Sequence, residues 1–191
     1  MRIRLTCGAR RSDGGGTDKG AAAVEFALLI PIFVMLTFGM LTAGIAFWHN
    51  IALTQAARDA ARLGSTYPIS NSPAAGELSP TQWLDMLANV AAAEAGWTDL
   101  TDIDTGNGFV CVAFVAGSGL AGVDSVALAV GRTGNLPAGV TPGPGGQCFD
   151  DGDRPDDRVQ VRIHREAEFN AIFVGTTWDL NTRSSIPYER S

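Results

Sequence analysis

From Phe26 to Trp48 the chain carries no charged side chain, an unbroken apolar run of 23 residues reading FALLIPIFVMLTFGMLTAGIAFW. As an α-helix it spans about 35 Å, enough to cross a hydrocarbon layer of roughly 30 Å with some tilt. Twelve of these residues are Leu, Ile, Phe or Val, each favouring insertion by roughly 0.3–0.6 kcal/mol. The pattern predicts one membrane-spanning helix. Pro31 lacks an N–H for the helical ladder and predicts a local kink, which bilayers tolerate. Gly39, Ala43 and Gly44, with Thr42, form a small-residue patch on which another helix would pack closely. The helix is expected to continue to Leu63. Ala52, Ala56 and Ala60 make one stripe at i+4 spacing, and Leu53, Ala57 and Ala61 make a second beside it. Gly64 is the expected C-terminal cap, with Pro68 soon after. Such a stalk suits close packing against a sheet or a neighbouring subunit, or is simply a good helix former; periodicity does not separate the two.

The period then changes. Residues 65–78 are rich in Ser, Pro and Gly and read as a loop. Ser79-Pro80-Thr81-Gln82 signals a second helix: Ser79 caps, Pro80 suits the first turn and Gln82 closes a capping box. Trp83, Leu84, Leu87, Val90 and Ala91 make its apolar face, and Gly96 ends it. Trp83 and Trp97 read as core anchors. Phe109–Val115 and Val126–Val130 have the length and composition of strands, with a turn at Gly117–Gly122. Arg158–Arg165 alternates, with Val159, Val161 and Ile163 to one side and Gln160, Arg162 and His164 to the other. Residues 168–174 and 176–186 add one or two strands. Gly131–Asp157 reads as a surface loop. The expected fold is α+β: a long N-terminal transmembrane and stalk helix packed on a small, mainly antiparallel sheet, with a second helix between them. Three segments result: a basic leader over 1–20, a membrane helix and stalk over 21–64, and an extracytoplasmic domain over 65–191.

Charge orients this arrangement. Residues 1–20 hold five basic and two acidic side chains, whereas residues 21–191 hold nine basic and eighteen acidic. The basic flank belongs on the cytoplasmic side, which places the C-terminal part outside a cytoplasmic membrane crossed once. The apolar run is too long for an ordinary cleaved signal peptide, and Cys7 precedes it, which disfavours a lipoprotein. The acidic body excludes a phosphate-binding footprint, so no nucleic-acid partner is expected. Cys111 and Cys148 have no partner at metal-ligand spacing, so no zinc is expected. In an exported domain they read as a disulfide, worth roughly 4 kcal/mol for a loop of about 38 residues and pinning the Gly131–Asp157 excursion to the sheet edge; two free buried thiols are the alternative. Asp150, Asp151, Asp153, Asp156 and Asp157 crowd within eight residues, which suggests a hard-cation site. Their spacing is not that of an EF-hand, and the expectation is a solvated acidic loop with no metal.

Glu25 stands at the edge of the apolar run, where an ionised carboxylate loses solvation. One reading is an interfacial residue that reaches water and favours the helix N-terminus. The other begins with cleavage after Gly20. Ala21 would then carry a free α-amine, and Glu25 would neutralise the amine of a neighbouring subunit, at about 4 kcal/mol of Coulomb energy before desolvation is subtracted.

Gly20-Ala21-Ala22-Ala23-Val24-Glu25-Phe26, followed by Ala27-Leu28-Leu29-Ile30-Pro31, resembles the prepilin-peptidase site and helix start of type IV pilin-like proteins. More narrowly, it resembles the TadE family, minor pilins or pseudopilins of the tight-adherence (Flp-type) pilus and secretion system. The likeness continues through Ala52-Leu53-Thr54-Gln55-Ala56-Ala57-Arg58-Asp59-Ala60-Ala61-Arg62 and covers residues 20–64. Ser185-Ile186-Pro187-Tyr188-Glu189 is similar to the family's ending, from which Pro187 departs. The resemblance implies that Gly20 and Ala21 flank the scissile bond and that Glu25 and Phe26 act in recognition and assembly. It implies as partners membrane lipid, a prepilin peptidase, other pilin or pseudopilin subunits and a membrane assembly platform. In an assembled pilus the chain would reach the cell surface.

Nothing in the chain points to a reaction. His49 sits at the membrane edge and His164 in a strand's polar row, each without a motif partner. Gly117-Ser118-Gly119 and Gly143-Pro144-Gly145-Gly146 lack a P-loop lysine or a dinucleotide fingerprint. No enzyme and no cofactor is expected. The two readings carried forward are a cleaved structural subunit and an uncleaved membrane-anchored assembly factor or sensor; an anchored hydrolase would need an acid–base site that the sequence does not display.

Overall fold

The computed structural model describes residues 16–105, 108–117, 123–131, 136–152, 154–171 and 174–189. It is an α+β protein: helix α1 (Gly16–Thr66), α2 (Pro80–Glu94) and α3 (Leu100–Thr105) precede strands β1 (Gly108–Val115), β2 (Val126–Gly131), β3 (Gly143–Pro144), β4 (Arg158–Ala171) and β5 (Val174–Pro187). The strands form one antiparallel sheet in the order β3-β2-β1-β4-β5. One compact unit ends at Leu41, and the second covers Thr42–Ser191.

In the second unit, the distal part of α1 and α2 cover one face of the sheet. Both alanine stripes of α1 serve as packing surface: Leu53, Ala56, Ala57, Ala60 and Ala61 lie in one core with Trp83, Leu84, Leu87 and Ala91 of α2. Val110, Val112 and Phe114 of β1 and Val159, Val161 and Ile163 of β4 complete it. Small side chains at i+3 and i+4 spacing let helix backbone approach its neighbours.

Gly64 is not the cap that its position suggested. The helix runs on to Thr66, and Gly64 is not among the glycines with positive φ. It is a contact point instead. A Cβ there would fall 2.5 Å from Leu87 Cδ1, 2.9 Å from Trp83 Cζ2 and 3.0 Å from Val159 Cγ1, and the Gly64 carbonyl accepts the Trp83 indole N–H at 3.3 Å.

α2 begins as its sequence predicts. The Ser79 hydroxyl accepts the Gln82 N–H, Gln82 Oε1 accepts the Ser79 N–H, and Pro80 occupies the first turn. It ends at Gly96, φ +87°. Gly96 N–H donates to the Ala93 carbonyl and Trp97 N–H to that of Ala92, the paired bonds that close a helix through a left-handed residue. Arg165 of β4 adds a cationic cap, its Nη1 donating to the Ala95 carbonyl at 3.1 Å while the guanidinium lies over the Trp97 ring.

Two expectations about strands change. Of the one or two strands expected over 168–174 and 176–186, the described residues hold one, β5; residues 168–171 belong to β4, which pairs with β5 out to Ala171↔Val174. The Gly131–Asp157 stretch is not a loop standing free on the surface. It contributes β3 and carries the buried Cys148 and Phe149, which pack with Phe109, Cys111, Ala113 and Ala127 on the second face of the sheet. The strict alternation of Arg158–Arg165 is present, but its polar row is largely covered: Arg158, Gln160 and Arg162 are buried. Gln160 makes that possible. Its Oε1 accepts the Cys148 and Phe149 N–H groups, and its Nε2 donates to Asp151 Oδ1 at 2.8 Å.

Asp151 is therefore a structural anchor and no solvated loop carboxylate. It receives Arg158 Nε and Nη2 at 3.0 and 2.8 Å, and Ser185 Oγ at 2.7 Å. Desolvation by itself would raise its pKa, but the hydrogen bonds from Ser185 and Arg158 and the charges of Arg158 and Arg154 outweigh it and hold the carboxyl below its ordinary value. Because the folded pKa lies below the unfolded one, this stabilisation is complete above about pH 4 and fades as the pH falls through the depressed value. Asp151→Ala is expected to lower stability by about 3 kcal/mol at neutral pH, since it leaves Arg158 buried without its counter-ion, and to flatten the acid limb. Urea titration of the full chain in detergent at pH 7 and pH 3 checks both. An unchanged midpoint at pH 7 contradicts the assignment. Of the other clustered acids, Asp157 accepts the Gly117 N–H and Asp150 the Gly152 N–H; Asp153 lies outside the described residues.

The C-terminal strand is tied back to the end of α1. The Tyr188 hydroxyl donates to the Tyr67 carbonyl and accepts the Ile69 N–H, and its ring meets Phe114 edge-on. Glu189 N–H donates to the Ser65 carbonyl.

Candidate membrane and assembly segment

The residues singled out for membrane insertion and assembly all lie on α1. The helix continues through Pro31. From Val24 to Ile51 every large apolar side chain is exposed, including Phe26 at 66%, Phe33 at 71% and Met40 at 74%. A soluble helix buries one stripe and wets the other; this one presents Leu, Ile, Phe and Met on all sides. Thr37 bonds back to the helix itself, its Oγ1 donating to the Phe33 carbonyl at 2.8 Å. Among the described residues it is the one helix long and apolar enough to cross a membrane.

Gly20 and Ala21 lie within the helix, four and five residues after its start at Gly16. Ala21 and Glu25 are one turn apart and share a face, with Phe26 beside Glu25; Gly20, Ala21, Glu25 and Phe26 are all exposed. The small-residue patch is less compact than its spacing in the chain suggested. Gly39 and Ala43 share a face at i+4, whereas Gly44 lies about 140° round the helix from Gly39. A Cβ at Gly39 or Gly44 would meet nothing within 4 Å, so neither glycine is required by packing among the described residues.

The model matching this region is that of TadE-like proteins, over residues 20–62. Residues 20–62 are thus similar to the TadE-like family, over less than a quarter of the chain. No curated protein and no solved structure matches the chain. The TadE-like segment begins at Gly20, includes Glu25 and the whole apolar run, and stops two residues short of Gly64. It thus takes in the alanine stripes that enter the core of the second unit, and leaves out α2, α3 and the entire sheet.

The second pair of candidate residues lies in that sheet. Cys111 and Cys148 are joined, with Cα atoms 5.6 Å apart and a sequence separation of 37. The bridge does not pin the loop to a sheet edge. Cys111 is on β1, the middle strand, and its side chain stands perpendicular to the sheet, so Cys148 is held against the centre of the second face.

His49 and His164 are far apart in role. His49 stacks at a tilt on Trp48, and His164 faces Asp179 at 3.6 Å. Among the described residues no three His, Cys, Asp or Glu side chains gather as a metal site would require. Sequence reasoning missed Gly64, read as a cap, and the Gln160–Asp151–Arg158 network, whose members looked like solvated strand and loop positions.

Proposed function

We propose that the protein is a minor pilin or pseudopilin-like structural subunit of a tight-adherence, Flp-type pilus or secretion system. A prepilin peptidase removes residues 1–20, α1 holds the mature chain in the cytoplasmic membrane with its N-terminus inside, and residues 65–191 form the part presented outside. The reading gives the protein no catalytic role. The observation that carries it is the conjunction at the start of α1: a TadE-like match beginning at Gly20, a carboxylate at Glu25, and then a helix apolar on every side. A helix with no polar face needs lipid or other such helices around it, and Glu25 then needs a cation. The amine freed on Ala21 of another subunit supplies one.

N-terminal sequencing of the protein recovered from cell membranes tests the cleavage: the reading expects a start at Ala21. Retention of Arg10 and Lys19 would instead make the chain an uncleaved anchored assembly factor or sensor. Glu25→Ala is expected to cut incorporation into sheared surface fibres about tenfold or more, with Glu25→Asp intermediate. Wild-type processing and wild-type incorporation in Glu25→Ala together would sink the proposal.

A further inference from the structure

β5 is the last strand of the sheet, and among the described residues no strand lies on its outer side. It is also long. β1 reaches only as far as Gly108↔Arg165 along β4, whereas β4 and β5 remain paired out to Ala171↔Val174. Beyond Arg165 the described residues of the sheet therefore form a two-stranded ribbon, a form that is marginal in water without a third strand. Edge strands that must stay single are commonly blunted by like charges, proline or a bulge. The one proline of this strand, Pro187, is its last residue, and its two charged side chains, Asp179 and Arg183, are of opposite sign.

Those two charges are self-complementary. They lie on the same side of the strand with Asn181 between them. In an antiparallel pair of identical strands centred on Asn181, each Asp179 falls directly opposite the other strand's Arg183. Both residues are exposed; the Asp179 side chain is 77% so. Within one copy Arg183 stands in register with Arg162, cation beside cation, and burial together with the Arg183 charge lowers the Arg162 pKa. Arg162 is bonded to neutral groups, Asn181 Oδ1 and the Ala138 carbonyl, so a carboxylate brought to Arg183 would relieve this face. On the opposite side of the strand the same register sets Trp178, 45% exposed, opposite Ser184 of the second copy and diagonal to its Ile186, within aromatic reach.

We propose that the outer edge of β5 pairs antiparallel with β5 of a second copy of this chain, in the register that centres on Asn181 and sets Asp179 opposite Arg183. The two sheets become one continuous ten-stranded sheet about a two-fold axis, an isologous contact. Strand addition satisfies edge N–H and C=O groups, and each two-stranded ribbon gains residues 183–187 of its neighbour as a third strand. This inference does not depend on the pilus reading; it concerns the sheet alone.

Cysteine trapping tests it directly. Facing residues in an antiparallel pair have Cα atoms about 4.5–5.5 Å apart, inside the span of a disulfide. Asn181→Cys in a Cys7→Ser background of the full chain in lipid nanodiscs is expected to give a covalent dimer under mild oxidation, at least tenfold faster than Ala75→Cys in an exposed loop. Adding Asp179→Arg puts like charges opposite each other twice and is expected to slow trapping about tenfold. Asp179→Arg with Arg183→Asp exchanges the charges and is expected to restore it. Should the cysteine variant fold poorly, the same charge series without it, read as the dimer fraction by native mass spectrometry of the full chain released from detergent, carries the same expectations. Trapping no faster than at Ala75, or a dimer fraction indifferent to both charge variants, overturns the proposal.

Discussion

Trp83→Ala is expected to destabilise the second unit by about 4 kcal/mol, the range for removing a fully buried large aromatic. The side chain has no exposed surface, and three elements depend on it. Its ring fills the space that the missing side chain of Gly64 leaves on α1, its N–H satisfies the Gly64 carbonyl, and it makes a T-shaped contact with Phe114 on β1 at a centroid distance of 6.2 Å. Phe114 in turn packs edge-on against Tyr188, which holds the end of β5 to the residues just after α1. Truncation leaves a cavity between two helices and the sheet and an unpaired carbonyl inside it. For a unit of this size the loss corresponds to a drop in Tm of about 8–16 °C. Trp83→Phe, which keeps the ring and forfeits the hydrogen bond, is expected to cost about half as much. Thermal melts of the full-length variants in one detergent check the pair, and a Trp83→Ala melt within 2 °C or so of the parent would rule out the central place given to this side chain.

Breaking the Cys111–Cys148 bond is the second large effect. A cross-link spanning 37 residues restricts the unfolded chain by roughly 4 kcal/mol in the loop-entropy account. Here the bond also holds a glycine- and proline-rich stretch against the middle of the sheet. With the bridge gone, Phe149 and Asp151 retain their hydrogen bonds to Gln160, so the double variant Cys111→Ala/Cys148→Ala is expected to fold with its urea midpoint substantially lowered. The cost and that of Asp151→Ala are not expected to add, because both changes release the same segment. Parent protein titrated with and without reductant, beside the double variant, is the measurement. A midpoint indifferent to reductant would mean that the covalent link contributes nothing to the fold.

What was legible in the chain follows from how local each signal is. The apolar run from Phe26 to Trp48 needs only length and composition. The start of α2 needs only Ser79, Pro80 and Gln82 in order, and its end only Gly96. The α+β class and the strands at Phe109, Val126 and Arg158 follow from the change of period. Gly64 shows where such reasoning stops. A glycine three residues after Ala61, with a proline four further on, has the pattern of a cap, and only the positions of Leu87, Trp83 and Val159 reveal it as a point of close approach. Gln160, Arg162 and Asp151 show the same limit for the sheet. Alternation tells which side chains share a face, but not whether that face is wet.

By itself, then, the sequence determined the elements whose causes lie within a few residues: an apolar helix flanked by positive charge, a capped second helix, and alternating strands. It also supplied the Gly20–Glu25 start on which the functional proposal rests. Only the tertiary structure decided which surfaces are covered, that the segment after β2 lies on the second face, that Asp151 is an anchor, and that β5 is left at an edge. Those are relations between residues far apart in the chain, and burial and pairing are properties of what arrives from elsewhere.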